Sequence, residues 1–195
     1  FLEKKNKDAL LASLLKDKKI NKLLVFTQMK HVANKVAKKL SANGVRATAI
    51  HGNKSQAART RALADFKDGR AKVMVATDVA ARGIDVDNIS HVINYDLPLE
   101  AETYVHRIGR TARAGADGHS ISFCTNGETA LLRSIERLLG KSIPVDEEHA
   151  YHCKRACNSV NSQSPQKPFG RGGGKRGGKR PQGNFARYQN RRRRN

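Results

Sequence analysis

Lys72–Val86 reads K-V-M-V-A-T-D-V-A-A-R-G-I-D-V. Its first five residues, K-V-M-V-A, have strand length, and Val73–Ala76 among them are apolar. The run stops at Thr77 and Asp78, and Arg82 and Asp85 follow around Gly83. A strand that ends in polar residues beside a glycine lets a ligand come close to backbone. Thr77 can donate a hydroxyl to a phosphate, and Asp85 can accept from a ribose hydroxyl. Taken singly, each is equally served by turn chemistry or a helix cap.

The pattern recurs outward from this stretch. Lys22–Phe26, Arg46–Ile50, His91–Tyr95 and His119–Cys124 are further runs of strand length. Helical spacing fills the gaps. Residues 5–16 put Leu10, Leu11, Leu14 and Leu15 on one side; Met29–Asn43 turns Val32, Val36, Ala37 and Leu40 inward, with Gly44 as its stop. Ser55 is placed to cap a helix running to about Asp68, with Leu63 and Phe66 buried and Gly69 ending it. Helices over about Ala101–Arg110 and Glu128–Leu139 complete the set. Val- and Ile-rich strands alternating with helices predict an α/β fold, a parallel sheet with helices on both faces and right-handed crossovers. Such sheets gather ligands at the carboxyl ends of their strands. The polar clusters Thr27–Lys30, His51–Arg59, Thr77–Asp85 and Asp96–Pro98 each follow a strand.

Two clusters add cationic chemistry. His106–Gly115 reads H-R-I-G-R-T-A-R-A-G, and its arginines at 107, 110 and 113 recur every three residues, close to one face of a helix or helical turn. Guanidinium forks along one edge suit phosphate oxygens, although a solvated basic helix has the same spacing. His51–Arg59 reads H-G-N-K-S-Q-A-A-R, with Gln56 and Arg59 on one helix face directly after Gly52. Amides at that helix start can bind an anion, and a capped helix with a solvated Arg59 is the simpler alternative.

Together these stretches resemble the second RecA-like domain of a DEAD-box RNA helicase. The matching pieces are V-F-T-Q-M-K (25–30), H-G-N-K-S-Q-A-A-R (51–59), V-A-T-D-V-A-A-R-G-I-D-V (75–86), N-Y-D-L-P (94–98) and H-R-I-G-R-T-A-R-A-G (106–115), in the family's order over about residues 1–145. The R-G-I-D wording and the tail resemble the bacterial RhlE-like branch. DEAH-type relatives carry Gln where His106 stands, which favours the DEAD-box reading. The resemblance implies that Arg110 and Arg113 reach the ATP phosphates, one as an arginine finger, and that Asp85 and Gly83 lie at the ribose. It implies RNA-backbone roles for Gly52, Gln56, Arg59 and Thr77, and interdomain coupling for Arg82, His106 and Arg107. Thr27 and Lys30 fall in a variable motif.

The sequence contains no G-x-x-x-x-G-K-[ST], no D-E-A-D and no S-A-T. The resemblance places these in a preceding RecA-like domain, together with the Mg²⁺ ligands. The expectation is half of an ATP site, without meaningful ATPase or unwinding activity alone. A free-standing, non-catalytic RNA-binding module is the alternative.

Charge divides the chain. Residues 1–149 carry 25 Lys/Arg against 17 Asp/Glu, whereas 150–195 carry 13 Lys/Arg and no acid. The expected organisation is a domain over 1–149 followed by a disordered Gly/Arg/Lys-rich basic tail over 150–195. This balance points to a polyanion, RNA rather than a membrane. No apolar run approaches the roughly 18 residues of a membrane span, so a soluble, cytoplasmic protein and a fragment of a longer chain are expected. Three scattered cysteines make no disulfide framework and fit a reducing compartment; Cys124 reads as a core residue. His149, His152, Cys153 and Cys157 do not have a zinc spacing, and no metal site is expected.

Overall fold

The computed structural model describes residues 1–82, 84, 86–111, 118–154 and 157. The basic tail from residue 158 onward lies outside the described residues, as do Gly83, Asp85 and Arg113.

Five strands, β1 (Leu23–Phe26), β2 (Ala47–Ile50), β3 (Val73–Ala76), β4 (His91–Asn94) and β5 (His119–Ser122), form one parallel sheet in the order β2-β3-β1-β4-β5. β1, β3 and β4 are buried along their whole length because helices cover both faces, which is why they read as unbroken apolar runs. The edge strands β2 and β5 carry Ala, Thr, Ser and His and are less buried.

Alternate side chains feed two cores. Leu23, Val25, Val73, Val75 and Ile93 pack under α1 (Lys7–Leu14) and α2 (Lys30–Ala42). Leu24, Phe26, Met74, Ala76 and Val92 pack against α3 (Gln56–Lys67) and α4 (Asp78–Ala81) on the other face. A third cluster joins Leu97, Tyr104 of α5 (Ala101–Ile108), Cys124, and Leu132 and Ile135 of α6 (Thr129–Leu139). Burial pushes the Cys124 thiol up to about 12, so it stays protonated as a core residue.

The predicted helix signals hold at several ends. Ser55 Oγ accepts from the Ala58 N–H at 3.2 Å, and Gly44 and Gly69 close α2 and α3 at φ +79° and +74°. Leu63 and Val32 are only partly buried. The four-residue α4 carries too little periodicity to be seen in the sequence.

Beyond residue 149 the chain still touches the domain. Tyr151 packs on the α1–α2 core, and the Cys153 N–H donates to the Phe1 carbonyl at 3.0 Å. His149 and His152 meet edge to face at 5.6 Å, and the Cys157 N–H donates to the Cys153 carbonyl.

Candidate functional site

The register sets Ile50, Ala76, Phe26 and Asn94 side by side at the carboxyl edge. The residues after them, His51, Thr77, Thr27 and Tyr95, therefore leave the sheet at one level. Connections diverge around β1 and β4, the kind of crevice in which α/β folds place ligands.

Arg107, in the last turn of α5, is 1% exposed. Its Nε and Nη2 donate to the two oxygens of Asp78 at 2.6 and 2.8 Å, a bidentate pair. Its Nη1 donates to Asn94 Oδ1 at 3.0 Å and to the Asp96 carbonyl at 2.7 Å, and the guanidinium lies 4.9 Å from the centre of the Phe26 ring. Asn94 turns its amide nitrogen to Ser122 Oγ at 3.1 Å. Beside this clamp opens a cleft of about 360 Å³, lined in part by Phe26, Asp78, Arg82, His106, Arg107 and Arg110. Arg82 and His106 are exposed. Arg110 is half-buried, its Nη1 donating to the Ile84 carbonyl at 3.0 Å. Asp78 neutralises Arg107, so the cleft presents Arg82, Arg110 and His106, a set suited to polyphosphate oxygens. Among the described residues no group of three or more His, Cys, Asp or Glu could hold a metal ion.

Arg107 and Arg110 line the same cleft, as their three-residue spacing predicts, although the regular helix ends between them; Arg113 lies outside the described residues. α5 ends at Ile108, with Gly109 as its cap, and a Cβ at Gly109 would sit 3.2 Å from the Val105 carbonyl. Buried Thr111 then draws the chain away, its hydroxyl donating to the Ile89 carbonyl at 2.6 Å. The stretch thus runs back along β4, from Arg107 at its carboxyl end to Thr111 at its start. Arg107 points inward because Asp78 and the Asn94 amide offer acceptors there.

The second cluster stands at the end of β2. His51 is 3% exposed; its Nδ1 accepts from the Asn53 N–H at 3.3 Å, which leaves Nε2–H to donate to Asn34 Oδ1 at 3.0 Å. Lys30 donates to Asn53 Oδ1 at 3.1 Å, which brings it to the loop that carries exposed Gly52. Arg59 Nη1 donates to Gln56 Oε1 at 3.4 Å, whereas its Nε is buried without an acceptor among the described residues. The Thr77 carbonyl accepts from the Ala80 and Ala81 N–H groups, and the Thr77 N–H donates to the Ile50 carbonyl. Thr77 and the His51 loop are therefore neighbours.

Burial holds the His51 pKa below its ordinary 6.5, with Lys54 and Lys30 adding to the effect. Burial also lowers His91, with stacked His119 adding and Asp17 opposing, and lowers His149, with the N-terminus adding. Below pH 6.5 the unfolded chain takes up protons that these folded-state rings refuse. Stability is present in full above that value and is lost as pH falls through the folded pKa values. Urea midpoints should fall between pH 7.5 and 5.5, and an unchanged or rising midpoint would contradict the neutral His51 geometry.

The helicase conserved C-terminal domain model matches residues 6–115. The chain belongs to that family. Its DEAD-box character follows from solved structures and curated relatives. The helicase domain superimposes on Escherichia coli DEAD-box protein SrmB, bound there to regulator of ribonuclease activity A, with a TM-score of 0.70 and 38% identity over 75% of this chain and 87% of that one. A DEAD box protein of Methanococcus jannaschii gives a TM-score of 0.68 and 41% identity, over 73% of this chain and 40% of that one. The ATP-dependent RNA helicase DBP2 of Chaetomium globosum is 42% identical over 87% of this chain, and that of Saccharomyces cerevisiae 46% over 80%. The chain spans 30% and 29% of those relatives' lengths.

Within this helicase domain, Phe26, Asp78, Arg82, His106, Arg107 and Arg110 come together at the cleft, and Gly52, Gln56, Arg59 and Thr77 form a separate group at β2–β3. Asp78, Asn94 and Thr111 stand inside the motifs with no role that the sequence assigns, and Lys7 and Glu128 belong to no motif. Asp78, beside Arg82 in the quoted motif, was the one signal available. The partners of Lys7 are 89 and 121 positions away.

Proposed function

We propose that this chain is the C-terminal half of an ATP-dependent DEAD-box RNA helicase that closes on a preceding RecA-like domain around ATP and single-stranded RNA. The cleft carries this reading: a buried Arg107–Asp78 pair fixes its wall, and Arg82, His106 and Arg110 face its opening. ATP supplies the transferable phosphoryl group. Arg110 and Arg113 would neutralise charge on the phosphoryl oxygens, Gly83 and Asp85 would receive the ribose, and Arg82 and His106 would couple the site to the other domain, with buried Arg107 acting only through the wall it holds. Mg²⁺ would be held by acids of the preceding domain. Gly52, Gln56, Arg59 and Thr77 would hold the RNA backbone. Closure would bend one strand and separate a short duplex locally; reopening would release RNA. Contacts to phosphate and sugar imply little sequence preference.

Joining the preceding domain should produce RNA-stimulated ATP hydrolysis and duplex separation that this chain alone lacks. RNA binding without hydrolysis in the joined protein would instead favour a non-catalytic binding module. A place in the bacterial RhlE-like branch is supported by R-G-I-D at residues 82–85 and by the basic tail, while the curated relatives described above are fungal.

The tail is proposed to add sequence-independent RNA affinity. Truncation after Cys157 retains the Tyr151 and Cys153 contacts and removes 11 Lys/Arg. Binding should weaken, and the slope of log K against log salt should flatten. If both survive truncation unchanged, the tail serves another partner.

A further inference from the structure

We infer that Lys7 is a positioning residue for the cleft, tying the helix that leads into the domain to the Arg107 clamp through Asp96. Lys7 opens α1 and is 3% exposed. Its Nζ donates to Asp96 Oδ1 at 2.8 Å and to the Glu128 oxygens at 3.2 and 3.1 Å, and it lies 5.4 Å from the centre of the Tyr95 ring. A buried ammonium is costly to desolvate even when fully enclosed, and an apolar side chain of similar volume is often as stable. The charge here has a use beyond holding α1 down.

Asp96 is the shared element. Its Oδ1 holds Lys7, its Oδ2 accepts from the Gln28 N–H at 3.2 Å, and its main-chain carbonyl accepts from Arg107 Nη1 at 2.7 Å. Arg107 then grips Asp78, the first residue of α4, which Thr77 and Arg82 flank. Glu128 braces the other side. It accepts from the Leu97 N–H at 3.1 Å and closes a reciprocal cap with Thr125, taking its N–H at 3.0 Å and its hydroxyl at 2.7 Å. The loop at Asp96–Leu97 is thus held between α1 and the turn before α6. An unbroken series of short bonds runs Lys7–Asp96–Arg107–Asp78.

The inference rests on the helicase reading, in which the preceding domain joins the chain just ahead of Lys7. Displacement of that connection would be felt at the Asp96 carbonyl, and through it at Arg107 and α4.

The test uses the whole two-domain protein carrying Lys7→Met together with Glu128→Gln. One cation and one anion are removed, so local charge is conserved; the single amide oxygen of glutamine can keep the cap at Thr125 but then gives up the Leu97 N–H. RNA-stimulated ATP hydrolysis and the thermal midpoint are measured on the same preparations. The expected result, read well below both thermal midpoints, is a kcat lowered about tenfold with an unchanged KM for ATP; Tm itself falls, because Asp96 Oδ1 loses its donor. Added to Arg107→Lys, the pair should lower kcat no further, because both act through one clamp. A wild-type kcat, or a loss that adds in full to that of Arg107→Lys, would overturn the inference. A kcat loss that disappears when both proteins are assayed well below their midpoints would also overturn it, reducing Lys7 to an anchor. Wild-type protein without RNA-stimulated hydrolysis would instead sink the helicase reading, and this inference with it.

Discussion

Replacing Arg107 by alanine is expected to destabilise this domain by about 3 kcal/mol or more, a large share of the roughly 5–15 kcal/mol that holds a domain together. The guanidinium is 1% exposed and fills four acceptor positions: both Asp78 oxygens, Asn94 Oδ1 and the Asp96 carbonyl. Alanine leaves those acceptors without their donors and opens a space beside Phe26. Breaking a buried pair costs about 3–5 kcal/mol, and the 33% exposure of the Asp78 side chain places this case at the low end, because water can reach the stranded carboxylate. Arg107→Lys keeps a charge near Asp78 but loses the fork, so it should fall between wild type and alanine. Urea unfolding of the three proteins measures the series. A loss below about 1 kcal/mol for alanine would be no more than an ordinary hydrogen bond is worth, and the clamp would not be the support of the cleft.

Arg110→Ala should behave in the opposite way. In the two-domain enzyme it is expected to lower ATP turnover by about 10³–10⁵, the range of an arginine finger. Its effect on unfolding should be about 1 kcal/mol, since Nη1 to the Ile84 carbonyl is its one side-chain hydrogen bond among the described residues. Arg113→Ala is expected to give a turnover loss of the same order. Steady-state phosphate release, read beside urea midpoints, separates the two kinds of arginine. Arg107→Ala would lose stability and rate together, Arg110→Ala rate alone. Near-normal turnover for both Arg110→Ala and Arg113→Ala would remove the finger role from this stretch.

The strands were legible because helices cover both faces of the sheet, so β1, β3 and β4 had to be apolar throughout. Ser55, Gly44 and Gly69 were legible because a cap and a left-handed helix end each demand a particular residue locally. The burial of Arg107 was not legible for the converse reason. A three-residue spacing says which side chains share a face while the helix lasts, but not where the helix stops. Here it stops at Ile108, because a hydroxyl one turn further on finds the Ile89 carbonyl.

By itself, the amino-acid sequence determined the parallel α/β fold, the family through its ordered motifs, and the edge of the sheet at which the chemistry gathers. Those properties rest on local patterning and on residues that are neighbours in the chain. Only the tertiary structure decided which charges are spent on one another and which face outward. Arg107 is consumed by Asp78, 29 positions away, and Lys7 by Asp96 and Glu128, 89 and 121 positions away. A charge buried beside its counter-charge and one open to a ligand look alike in sequence. The fold separates them by choosing which acceptors each can reach.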